Sequence, residues 1–302
     1  MSLPRRSVPT VSGRQARGQQ RGQGDRVSSA PPVASGTPAP PRLAASPTLL
    51  HALLDCPRRF RMLYLDRPSP RRRPPRAHTT LGVAVHSALA KWWDVPERTP
   101  QAGADLLRAI WTDVGFRDAA QSRVWREHSA AQVAAYLGDV DPSMEPAGIE
   151  RTLGFPRGPV RFTGRIDRLD DRAGELVVVD YKTSRQVPTD DDARTSLALA
   201  LYAAAAWRVF RRRVLRVELH HVPTGTVRSH EHTPDSLTRK VDEATSLALD
   251  AWRLEVEYAE RGSVSGAFPP RVGPLCAWCD VRAHCPPGQE YGPEKSDWAA
   301  LD

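Results

Sequence analysis

Apolar positions along the chain change period twice. Ser46-Pro47 reads as a helix start, an N-cap residue followed by proline at the first helical position. Leu49, Leu50, Leu53, Leu54 and Phe60 then recur at helical spacing on one stripe. A proline- and arginine-rich stretch, Arg67–Arg76, interrupts this pattern before a second helix, about Thr80–Trp93, with Leu81, Val85, His86, Leu89 and Trp93. Further helical patterns cover about Ala102–Val114 and Ala119–Leu137. After Glu145 the period becomes two, which predicts strands over Ile149–Phe155, Val160–Leu169 and Glu175–Thr183, the last two joined by a turn at Asp170–Gly174. A helix over Ala193–Phe210, a hairpin of Val214–Val222 and Thr226–His232, and a long helix over Pro234–Arg261 follow. Helices, a strand meander, a crossover helix and more strands predict one α/β domain with helical flanks and no internal repeat.

The first 45 residues share none of this patterning. They are rich in Pro, Gly, Ser, Gln and Arg, with seven arginines against Asp25 alone, and the first aromatic residue is Phe60. Such a segment cannot bury enough apolar surface to offset its conformational entropy, so a disordered basic tail is expected over 1–45. The tail supplies +6 of the net +8, and the rest of the 302-residue chain is nearly balanced. Charge alone therefore gives only a weak pointer to an anionic partner. The uncharged run Thr195–Trp207 is thirteen residues, too short to span a bilayer, and no apolar segment follows Arg5 and Arg6. A cytoplasmic protein without membrane contact is expected.

Candidate chemistry concentrates in Gly164-Arg165-Ile166-Asp167-Arg168 and in Val177-Val178-Val179-Asp180-Tyr181-Lys182-Thr183. Side chains alternate along a strand, so Leu176, Val178, Asp180 and Lys182 share a face. The Asp170–Gly174 turn folds Asp167 back alongside, which brings two carboxylates and an ammonium to one end of a hairpin. Hard divalent cations prefer such oxygen donors. A lysine beside them can assist water and offset charge at a phosphate. The plain alternative is a set of surface ion pairs. Against it stand the apolar run before Asp180 and the rarity of lysine, four residues against 39 arginines.

These segments, with Cys56-Pro57-Arg58-Arg59-Phe60 and Gly82-Val83-Ala84-Val85-His86, resemble the RecB-like branch of the PD-(D/E)xK nucleases over about Ser46–Cys285. The resemblance implies a restriction-endonuclease-like core, a mixed central sheet flanked by helices, with a helical N-terminal part. It implies His86, Asp167, Asp180 and the main-chain carbonyl of Tyr181 as ligands of Mg²⁺ or Mn²⁺, and Lys182 as the catalytic lysine. The family's Gln-x-x-x-Tyr element is met only in part: Tyr202 fits, and Ala198 stands at the glutamine position. The implied activity is metal-dependent hydrolysis of DNA, an exonuclease acting on single-stranded ends in repair or recombination, with a helicase as a conceivable partner. The rival reading is a weak or inactive DNA-binding subunit that keeps the fold.

Cys276, Cys279 and Cys285 fall within ten residues, and Cys56 lies 220 residues upstream of Cys276. Four thiolates suit a [4Fe–4S] cluster or a structural zinc, with His284 as a substitute ligand. The resembled family holds an iron–sulfur cluster with one cysteine before the nuclease motifs and three after. That implies a cluster clasp closing residues 46–290, with 291–302 as a C-terminal tail. Two arginine clusters, Arg58–Arg76 and Arg211–Arg216, offer phosphate contacts, and Trp92, Trp93 and Trp278 offer stacking surfaces.

Overall fold

The structure, a computed structural model, describes residues 43–302; the expected tail, apart from Leu43–Ala45, lies outside the described residues. Leu43–Ala45, read from sequence as tail, forms the short strand β1. It escapes a pattern search because three residues hold no measurable alternation. Helix α1 (Pro47–Asp55) starts as expected, with the Ser46 hydroxyl accepting from the Leu49 amide. Helix α2 (Pro57–Phe60) continues into a wider turn over Arg61–Leu65. Three helices follow, α3 (Ala77–Trp92), α4 (Pro100–Ile110) and α5 (Ala119–Gly138).

Strands β2 (Gly148–Arg157), β3 (Val160–Arg172) and β4 (Glu175–Lys182) form the meander. The β3–β4 hairpin is tighter than expected. Its turn is Ala173-Gly174, both at positive φ, the geometry that suits a two-residue hairpin. The predicted helix over 193–210 is two helices, α6 (Asp190–Thr195) and α7 (Leu197–Phe210), because Ser196 caps the second. Strands β5 (Arg216–His221) and β6 (Thr226–Glu231) precede α8, which spans Pro234–Arg261 as the pattern predicts. A short α9 (Pro286–Glu290) lies in the cysteine-bearing segment.

The sheet is mixed, with order β1-β3-β4-β5-β6 and β2 beside β3. Its strand β4 is buried on both faces. Leu176 and Val178 pack with α7 and α8, whereas Val177, Val179 and Tyr181 pack with α3, α4 and α5. The expected layers, a mixed sheet flanked by helices, are therefore present. The C-terminal tail is packed rather than loose: Leu301 is buried and its carbonyl accepts from Trp125 Nε1.

Long strand β3 carries the architecture of the site. Strand β2 runs antiparallel along one of its edges. On the other edge, β1 pairs with Val160–Phe162 and β4 pairs with Arg168–Arg172. Between them, Thr163–Asp167 has no strand partner on that edge. The sheet is open there.

Candidate active site

Asp167 is the first residue of that opening next to β4. The β3–β4 ladder ends at Arg168↔Val179, and the Asp167 carboxylate accepts from the next amide, Tyr181 N, at 2.8 Å. A side chain thus replaces a ladder bond where the strands diverge. His86 reaches Asp167 from α3, with Nδ1 3.3 Å from Oδ2, and its ring stands edge-on to Tyr181. Asp180 and Lys182 follow on β4, Nζ lying 2.6 Å from Asp180 Oδ2. That carboxylate oxygen is buried, and Lys182 is the cation that meets it.

Tyr202 comes from α7, on the opposite face from His86. It packs on Gly164, where an added Cβ would stand 2.5 Å from the Tyr202 ring. Glycine in the Gly164–Arg168 block therefore makes room for this aromatic ring. Burial, together with the charges of Asp180 and Asp167, pushes the Tyr202 hydroxyl up to about 12. Ala198, one turn earlier, is half-buried and offers no amide.

The electrostatics are those of acids short of counterions. Burial raises the Asp180 pKa, the Asp167 charge adds to this, and Lys182 opposes it. Burial lowers the His86 pKa, but the Asp167, Asp180 and Glu150 carboxylates outweigh it and raise it above 6.5. Glu150 is likewise raised by burial.

Glu150 is the residue that sequence reasoning missed. Among the described residues, the group of three or more ligating side chains whose donor atoms all lie within 4.8 Å is His86, Glu150 and Asp167. The implied set is therefore brought together in part: His86 and Asp167 share this group, and Asp180 stands beside it. One imidazole nitrogen with carboxylate oxygens fits a Mg²⁺- or Mn²⁺-type ion. An acid in a half-exposed strand gives no signal of its own; only its register opposite Asp167 reveals it.

A profile of the PD-(D/E)XK nuclease superfamily matches residues 44–286. The chain belongs to that superfamily. No curated protein matches it. Among solved structures, a protein from Eubacterium rectale titled "Putative exonuclease" aligns with 81% of this chain and 88% of its own, at 11% identity and a TM-score of 0.48. PD-(D/E)XK nucleases use divalent metals, and this one presents its acidic group where the sheet opens.

The four cysteines of this nuclease all line one cavity of about 230 Å³, between α1–α2 and the segment around α9. All four are free thiols. The amide of Arg271 donates to Cys56 Sγ at 3.3 Å, and Gly288 lies against the sulfurs of Cys276 and Cys285. They form no three-sulfur group within 4.8 Å. His284 does not line the cavity; its Nε2 lies 3.2 Å from the Arg71 carbonyl.

Several expected nucleic-acid contacts are otherwise engaged. Arg59 pairs with Asp280, Arg73 with Glu294 and Asp297, and Arg76 donates to the carbonyls of Lys295 and Ala277. Three arginines of the first cluster thus secure the C-terminal segment. The second flanks the start of β5, where Arg216 pairs with Val177, five residues and roughly 17 Å along the strand from Lys182. Trp92 and Trp93 are core residues, and Trp278 lies under Arg76. Among the described residues no helix is long and apolar enough to cross a membrane.

Proposed function

We propose that this nuclease is a RecB-like, divalent-metal-dependent exonuclease acting on single-stranded DNA ends in repair or recombination. The observation that carries the reading is the convergence of His86, Asp167 and Glu150 within 4.8 Å, beside the Asp180–Lys182 pair. When bound, Mg²⁺ or Mn²⁺ supplies Lewis-acid polarisation of the phosphodiester and acidifies water. His86, Asp167, Asp180 and the Tyr181 carbonyl are its proposed ligands. Lys182 Nζ, half-exposed and already held beside Asp180, orients the attacking water and offsets charge on the phosphate. Tyr202, whose hydroxyl stays protonated at neutral pH, serves as a hydrogen-bond donor to substrate.

A [4Fe–4S] cluster on Cys56, Cys276, Cys279 and Cys285 is the proposed clasp. Support comes from the one cavity that all four cysteines line. The Arg271 amide beside Cys56 Sγ is the kind of donor that steadies a cluster thiolate. The nuclease domain proposed over 46–290 extends to β1 at Leu43, with the residues before it as a basic arm.

The test is cleavage of end-labelled single strands by anaerobically purified protein with Mg²⁺ or Mn²⁺. Asp180→Ala and Lys182→Ala are expected to abolish cleavage while DNA affinity is retained. Unchanged cleavage by both would overturn the site. The rival, a non-catalytic DNA-binding subunit, rests on Ala198 and would be selected by a parent protein that binds but never cuts. Cys56→Ala is expected to lose the broad absorption and iron of the parent; equal iron would overturn the four-cysteine clasp.

A further inference from the structure

Glu150 stands opposite Asp167 where two strands change face together. Ile149↔Arg168 and Arg151↔Ile166 are paired, and the ladder is interrupted between them. On one side of the break, Leu153 and Phe155 of β2 and Phe162 and Ile166 of β3 pack toward α7 and α8. On the other side, Ile149 packs with the α3–α5 layer, and Arg168 lies over Trp93 and Tyr181 of that same layer. Two antiparallel strands in constant register can swap faces together only if the backbone turns over at one pair. Glu150 does this with φ +46°, a left-handed conformation that side chains with a Cβ rarely adopt.

Glycine would make that turn without strain. What glutamate adds is a carboxylate, and the structure aims it at the site: its oxygen lies within 4.8 Å of the His86 and Asp167 donor atoms. One Glu150 oxygen, Oε2, is held at 2.8 Å by Nε of Arg165, an exposed side chain from the neighbouring strand. We infer that Glu150 is a metal-ligating residue of this nuclease, presented by the strained turn that also opens the sheet beside Asp167. The inference rests on the metal-centre reading above and adds a ligand to it. Arg165 steadies the carboxylate from outside and is a positioning residue, not a ligand.

Calorimetric titration of Mn²⁺ into the metal-free full chain, with a melting curve for each variant, tests this. The parent is expected to bind, and Glu150→Gln to bind about tenfold more weakly or worse. Glu150→Gly is expected to lose the same affinity yet melt higher than Glu150→Gln, because glycine takes the left-handed turn freely. Arg165→Ala is expected to bind within about twofold of the parent, as an exposed ion pair contributes little. A Glu150→Gln variant with the parent's affinity would overturn the inference while leaving the metal centre standing. So would an Arg165→Ala variant as weak as Glu150→Gln, which would make Glu150 a mere partner of that arginine. A parent that binds no Mn²⁺ would overturn both the inference and the reading beneath it.

Discussion

Three residues along β3 from Asp167 lies Asp170, and the two carboxylates have opposite surroundings. Asp170 is fully buried between Arg168 and Arg172, with contacts of 2.7 and 2.8 Å. Across the sheet, Glu218 on β5 faces Arg172, Arg216 and His220. Tyr136 and Tyr181 complete this network through Arg168 and His220. Every acid there has two or more cationic or polar partners. At the opening, Glu150, Asp167 and Asp180 share Lys182, Arg165 and the His86 imidazole. The same strands thus carry a cluster with more arginines than acids and one with more carboxylates than permanent cations. The surplus of arginine makes the first a structural element. The shortage of permanent positive charge suits the second to a cation, and burial raises the pKa values of Glu150 and Asp180.

The contrast breaks most visibly at Asp170. Asp170→Ala leaves Arg168 buried with half its partners removed, and the expected loss is about 3–5 kcal/mol in denaturant unfolding. A loss below about 1 kcal/mol, the scale of a surface pair, would mean that the network is not structural. On the acid-rich side, packing is still tight although charge is not balanced. Gly164→Ala forces a methyl group into the Tyr202 ring and is expected to cost about 1–3 kcal/mol, with weaker substrate turnover. Parent-like stability and activity would show that Tyr202 has other room.

The smallest of these effects depends on pH. Glu218 is buried, which opposes ionisation, but His220 and Arg172 outweigh burial and hold its pKa well below 4.5. A depressed carboxylate stabilises the fold above its unfolded pKa and loses that contribution as pH falls toward the folded one. Glu218→Gln is therefore expected to be about 1–2 kcal/mol less stable at neutral pH. Its deficit relative to the parent should narrow once pH drops below 4.5. A deficit independent of pH would point to shape rather than charge.

Much of the fold was legible because long elements carry many periods. Helix α8 and strand β4 fall within a residue of their predicted bounds, each having enough repeats to average over exceptions. Strand β1 was not legible, since it exists only through its pairing with Val160–Phe162. The site divides the same way. Asp167, Asp180 and Lys182 announce themselves by local spacing on adjacent strands. Glu150 does not, because its role comes from register and a positive φ that no residue type encodes. Three arginines of the first cluster are engaged for a related reason. Composition shows their charge, and only the fold shows that Arg59, Arg73 and Arg76 spend it on the C-terminal segment.

Thermal unfolding of the parent and Asp180→Asn, each with and without Mn²⁺, tests the contrast most directly. Without metal, removing a buried carboxylate charge is expected to leave Asp180→Asn as stable as the parent or more so, because half-exposed Lys182 stays solvated. With Mn²⁺ in about 100-fold excess over its dissociation constant, the parent gains about 2.7 kcal/mol by mass action, and the variant gains little. Equal stabilisation of both proteins by Mn²⁺, or a metal-free Asp180→Asn that unfolds as readily as Asp170→Ala, would contradict the account.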